Sequence, residues 1–255
     1  MSSDQSPIND EFYINYAPMP SGYRRFLIQF IPLLVLGVII FALVLPRVHD
    51  QFNSGKIHGT VDLEGLLVGE PVPHLIVPRP GDTTSSVPFS RYVLSGRGKT
   101  SPDASVLEQI GNWVKLNGTV VSRNHLSVMA VRSAEAISPP DNVNLTPNAG
   151  TSLGEYSLTG EILDSKCYPG VMKPGQSKTH RACAIRCISG GVPAVFRVKN
   201  NRNDVMYFLL ADEQGQAVND RILNLVADPI RITGKVIQYD DMFVIQADPS
   251  SYKRV

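Results

Sequence analysis

Cysteine is scarce in this chain and confined: three residues among 255, all between Asp164 and Pro193. So small and odd a count excludes a disulfide-dense scaffold. It leaves one bridge with a spare thiol, or no bridge and a metal or redox site. Charge of one sign is lacking too. Lys and Arg total 24 against 23 Asp and Glu, a net +1 that gives no basic field for nucleic acid. No basic, aromatic-studded stripe is present either, so no nucleic-acid partner is expected. The chain has no phosphate-binding loop, no Gly-x-Ser-x-Gly elbow, no His-Glu-x-x-His and no Cys-x-x-Cys-His haem-attachment motif. No catalytic residue can be assigned, and the chain reads as a binding or accessory protein rather than an enzyme.

Long hydrophobic runs are absent with one exception. Residues 26–46, opened by Phe26 and closed by Pro46, are apolar apart from Gln29. As a helix rising ~1.5 Å per residue such a run spans roughly 30 Å, the thickness of a hydrocarbon core. It is long, starts late and ends in Leu45-Pro46-Arg47 rather than a small-x-small cleavage site, which favours an uncleaved anchor over residues 24–47. Residues 1–23 are polar and aperiodic and read as a tail. Arg24 and Arg25 precede the run, while Arg47 and Lys56 follow it. The charge rule thus tilts slightly towards a cytoplasmic N-terminus. The expectation is a single-pass protein of the bacterial inner membrane with its C-terminal body in the periplasm, working beside other membrane or periplasmic proteins.

The body contains a repeat. Trp113 through Met129 recurs 116 residues later as Pro229 through Ile245 without a gap. Val114 and Leu116 alternate with polar neighbours as Ile230 and Ile232 do, the period of a half-buried strand. Ser122 to His125, and Gln238 to Asp241, read as hairpin turns. Gly118 and Gly234 inside these strands suggest a bulge or a sharp barrel bend. The starts of the copies match more loosely, with Ile57-His58-Gly59-Thr60-Val61 set against Leu158-Thr159-Gly160-Glu161-Ile162. Strands are expected at 89–94, 194–199 and 205–211, and short helices at 104–110 and 221–226 after capping residue types. Strand, strand, strand, helix, hairpin is the order of an OB-type five-stranded barrel. The predicted fold is therefore mainly β: a transmembrane helix, then two tandem OB-like barrels at 54–137 and 153–255, joined by a Pro/Asn/Gly-rich linker at 138–152. One continuous β-sandwich is the alternative.

The copies differ after their first strand. The first has a proline-rich insert, residues 62–88, without cysteine; the second has Cys167, His180, Cys183 and Cys187. That contrast assigns the chemistry to the second copy and leaves the first as spacer or docking surface. Residues 179–189 favour a helix, on which His180, Cys183 and Cys187 share a narrow arc at ~100° per residue. Cys167 on the preceding loop can close over that face. Three thiolates and one imidazole form a tetrahedral shell for zinc or a soft site for copper. Outside the cytoplasm, Cys167 can instead bridge to Cys183 or Cys187, a staple of ~20 residues worth about 3 kcal/mol. Thiol–disulfide chemistry is the third reading, with His180 one turn before Cys183.

The segment Gly160 to Tyr168, then His180-Arg181-Ala182-Cys183-Ala184, then Cys187 to Pro193, resembles a family of small uncharacterised bacterial exported proteins. These share a Cys…His-x-x-Cys-Ala-x-x-Cys…Gly-x-Pro segment. The resemblance covers about 156–255 and implies an exported, OB-like module with a recurring Cys/His segment; it implies no activity. One membrane helix before a periplasmic OB barrel is also similar to the cytochrome c maturation haem chaperones. Their His-x-x-x-Tyr motif is absent, because Ala184 stands four residues after His180.

Overall fold

The structure is a computed structural model that describes residues 19–50, 55–79, 89–141, 143, 149–170 and 172–255. Most of the expected tail, and much of the expected linker, lie outside these residues. The chain divides into two compact units, Met1–Gln51 and Phe52–Val255.

The first unit is a helix, α1 (Ser21–Asp50). It exceeds the apolar run at both ends and carries its large apolar side chains exposed. Within it the span Ser21–His49 contains an 18-residue window of mean hydropathy 2.9 and is long and apolar enough to cross a membrane. Pro32 and Pro46 lie inside it.

The second unit holds two closed five-stranded barrels. The first comprises β1 (Lys56–Val68), β2 (His74–Pro78), β3 (Phe89–Ser95), α2 (Ala104–Leu107), β4 (Trp113–Arg123) and β5 (Leu126–Ala136). Its strands close in the order β1-β2-β3-β5-β4, with β3 and β5 parallel. The second barrel starts with β6 (Thr151–Asp164), followed by the short helices α3 (Cys167–Gly170) and α4 (Arg181–Ser189). Then come β7 (Ala194–Lys199), β8 (Val205–Ala211), β9 (Pro229–Tyr239) and β10 (Met242–Gln246). It closes the same way, β10 lying parallel to β8 and antiparallel to β9, and β11 (Lys253–Arg254) adds an edge to β9. Alternation fills each interior: Leu67, Leu75, Leu94 and Leu116 in the first, Phe196, Phe208, Ile230 and Ile232 in the second. Two barrels, not one sandwich, is the architecture.

The repeat is more regular than the sequence suggests. Both hairpins turn on two residues, and Asn124 (φ 52°) and Asp240 (φ 59°) occupy the left-handed region that Asn and Asp tolerate. The register corrects the pairing of the first strands. Ile57 faces Val121 as Ser152 faces Ile237, and Gly65 faces Val114 as Gly160 faces Ile230. Gly59 therefore corresponds to Gly154, not Gly160. Both sit at a bulge with positive φ, 80° and 102°, where glycine avoids a Cβ penalty. Gly118 lies at a bulge as expected, whereas Gly234 lies in unbroken register and is small because the Gln246 carbonyl approaches it.

Two further expectations change. The first part of the insert placed at 62–88 is mostly strand: β1 runs to Val68 and β2 covers His74–Pro78, so residues 69–73 form the connection between them, while residues 80–88 lie outside the described residues. In the second barrel the same connection is residues 165–193. The helix expected at 221–226 is two 3-10 turns, Asn219–Arg221 and Leu223–Leu225. Ile222, Asn224 and Val226 are weak helix formers, and Pro229 follows closely.

The barrels share a core. Val93, Val121, Leu126 and Val128 of the first pack with Leu163, Tyr168, Val195 and Leu209 of the second. Above it the Arg91 guanidinium donates to Asp240 Oδ2 at 2.5 Å and 3.1 Å, and to buried His74 Nε2 at 2.6 Å. Arg123 lies 4.5 Å from the centre of the Tyr168 ring, whose hydroxyl meets that of Tyr207 at 2.9 Å.

Candidate thiol site at the barrel junction

Asp164, the last residue of β6, organises the long connection. Its side chain is fully buried. Oδ1 accepts from the backbone N–H of Lys166 at 3.1 Å and of Cys167 at 2.5 Å, which turns the chain into α3. Oδ2 accepts from His180 Nε2 at 2.6 Å, which pins the start of α4 to the end of β6. One carboxylate thus fixes both segments that carry sulfur. Cys183 and Cys187 follow one turn apart on α4, and Cys167 enters from α3.

The result is a cluster. The Sγ atoms of Cys167, Cys183 and Cys187 all lie within 4.8 Å of one another, Cys167 and Cys187 buried and Cys183 half-buried. The sulfurs of Cys167 and Cys187 are 3.5 Å apart, and all three cysteines are free. The expected staple is therefore not formed in this structure. Metal–sulfur bonds of ~2.3 Å place the corners of a tetrahedron ~3.8 Å apart, so the spacing suits one shared ion.

His180 does not join the sulfurs. It occupies the N-cap position of α4, and its ring is fully buried against Asp164 rather than aligned with Cys183. The helical arc begins at Arg181, one residue after His180. A buried imidazole needs a partner, and Asp164 is nearer than any thiol. Its Nδ1 has no hydrogen-bond partner among the described residues.

The fourth group at the cluster comes from the other barrel. Lys99, in the loop between β3 and α2, donates from Nζ to Cys183 Sγ at 2.6 Å and to Cys187 Sγ at 3.8 Å. The same loop receives Lys166, whose ammonium donates to the carbonyls of Gly96 and Gly98. Ser101 N–H donates to the Gly190 carbonyl at 2.8 Å, and a Cβ on Gly190 would collide with the Lys99 carbonyl oxygen. Gly190 is thus a close-approach glycine that lets the loop reach the end of α4. The first barrel, which the sequence suggests is a spacer or docking surface, supplies the lysine that contacts the sulfurs. The sequence signal for this is faint: a basic residue in the glycine-flanked run Gly96-Arg97-Gly98-Lys99. The thioether-bearing Met172 also packs against the cluster, with Val192.

Electrostatics follow from this packing. The hydrogen bond from Cys187 pulls the Cys167 thiol down to about 7, so Cys167 ionises first. Donating that bond, together with burial, holds the Cys187 thiol well above the usual range. Burial raises Cys183 against the pull of Lys99. The bond to Cys183 raises Lys99 in turn, while desolvation lowers Lys166. The site can exchange protons for a thiophilic ion, or, with an external disulfide as two-electron oxidant, join Cys167 to Cys187 with loss of two protons.

No family model matches the chain, and no curated protein matches it. Among solved structures, it is similar to a deletion mutant of the single-stranded DNA binding protein from Thermus aquaticus. Identity is 10% over 78% of this chain and 95% of that chain, with a TM-score of 0.22. So low a score says nothing of this chain's function, and the chain is assigned to no family.

Proposed function

We propose that this is a membrane-anchored binding protein that holds a thiophilic metal ion on Cys167, Cys183 and Cys187. The observation that carries the reading is the convergence of three unbridged sulfurs within 4.8 Å. Thiolates are soft donors suited to copper or zinc. His180 and Asp164 brace the segment rather than contribute donors, as partners of ligands commonly do. The helix α1 is the anchor, with the N-terminus in the cytoplasm and the barrels in the periplasm of a bacterial inner membrane. Arg24 and Arg25 before the apolar run support that orientation. The role is that of an accessory or carrier component of a larger membrane assembly, not of an enzyme.

Full-length protein purified in detergent without chelator should carry one equivalent of metal. Cys167→Ser and Cys183→Ser should each lose it while retaining the fold. Metal near zero together with only one titratable thiol would sink the reading and restore the disulfide staple. A thiol–disulfide role is the second reading, favoured by the 3.5 Å separation of Cys167 and Cys187 and by the lowered Cys167 thiol. It predicts reversible closure of that pair in a redox buffer, and three thiols inert to oxidant would exclude it.

A further inference from the structure

We infer that the ion held at this site is monovalent copper, bound by the three thiolates alone, and that Lys99 of the first barrel selects its charge. The inference rests on the metal-binding reading above and names its ligand.

Donor count comes first. Among the described residues the cluster comprises Cys167, Cys183 and Cys187, without an imidazole or carboxylate. His180 gives its Nε2 to Asp164 Oδ2, and Asp164 Oδ1 already receives two backbone N–H groups. Lys99 meets the cluster as an ammonium, which has donors but no lone pair to offer a metal. Met172, which carries a soft thioether, and Val192 pack in the same cluster. Structural zinc takes four ligands, whereas soft sulfur without hard donors suits the cuprous ion.

Charge points the same way. Three thiolates around a monovalent ion leave two negative charges. Two ammonium groups stand against them: Lys99 on Cys183 and Cys187, and Lys166, adjacent to Cys167 and bound to the loop that carries Lys99. They offset that charge from half-exposed positions, and the buried Asp164 carboxylate lies beside Cys167 as well. The Lys99 ammonium, bonded to two of the sulfurs, repels a divalent ion about twice as strongly as a monovalent ion at the same place. Lys99 therefore acts at the site from a separate barrel, and metal selection depends on how that barrel is docked.

The test uses reduced, metal-free, full-length protein in detergent, as wild type, Lys99→Met and Lys99→Arg. Each is titrated with cuprous ion against a cuprous chelator, and with zinc ion against a zinc chelator. Wild type should take one cuprous ion. Lys99→Met should weaken cuprous binding by about tenfold or more while zinc binding holds or tightens, as expected for one charge beside buried thiolates. Lys99→Arg should keep the wild-type preference. An unchanged copper-to-zinc preference in Lys99→Met overturns the inference. So does a nitrogen or oxygen ligand in the metal shell of the wild-type cuprous protein, which X-ray absorption reads even if Lys99→Met does not fold. A wild type that binds neither ion overturns the metal-binding reading itself, a distinct result.

Discussion

Asp164 does more for this site than any cysteine. It ends β6, starts α3 through two N–H bonds, and holds His180 at the head of α4. Removing it leaves a buried imidazole, the buried Cys167 amide and the half-buried Lys166 amide without an acceptor, each buried loss worth ~1–3 kcal/mol. Asp164→Ala should therefore lower unfolding free energy by at least about 3 kcal/mol, as measured by denaturant unfolding of the full chain. Cys183→Ser, at a half-buried position, should cost less than about 1 kcal/mol. Equal losses in the two variants would refute this division of labour. At this scale the sequence was legible for the sulfurs and misleading for the histidine. Helical spacing put His180 on the cysteine face, but spacing describes only α4. It does not register an aspartate sixteen residues earlier that a β-strand delivers to the same place. Lys99 was hidden for a stronger reason: 84 residues and a barrel boundary separate it from Cys183.

Elements were read more reliably, because strand periodicity reports burial directly. The hairpins of β4–β5 and β9–β10 stand where the repeat placed them, and β3, β7 and β8 match their expected ranges closely. The first strands were misaligned because Gly59 and Gly160 look equivalent in one dimension. Only cross-strand register shows that Gly59 belongs with Gly154. The strand contacts at the barrel junction carry a pH dependence. Buried His74, on β2, donates Nδ1–H to the Val72 carbonyl and accepts from Arg91, so it must be neutral. Burial, foremost, brings its pKa from 6.5 down to about 4. Between these values the unfolded chain binds more protons than the folded one, so stability rises with pH across that window. The contribution is complete above pH ~6.5 and is lost as pH falls towards ~4, a total of about 3 kcal/mol. Unfolding curves from pH 7 to 4 should show this slope, and His74→Gln should flatten it. An unchanged slope in His74→Gln would assign the effect to other groups.

At the scale of the molecule, the chain pairs a helix fit for a membrane with a body whose two barrels share one core. The duplication was visible in sequence, but its use was not. The first copy has a short β1–β2 connection, the second has the long thiol segment in the same place, and a loop of the first packs on that segment. The proposed orientation has a direct consequence. A cysteine introduced at exposed Ser250 should react with a membrane-impermeant maleimide in intact spheroplasts. Labelling seen only after lysis would place the barrels in the cytoplasm.

In the proposed site, three sulfurs from one barrel, under a lysine from the other, hold a single metal ion. X-ray absorption at the metal edge of as-purified, full-length protein tests it most directly. One metal per chain with three sulfur neighbours at about 2.3 Å is the expected result. A metal-free protein in which Cys167 and Cys187 are joined by a disulfide would contradict it.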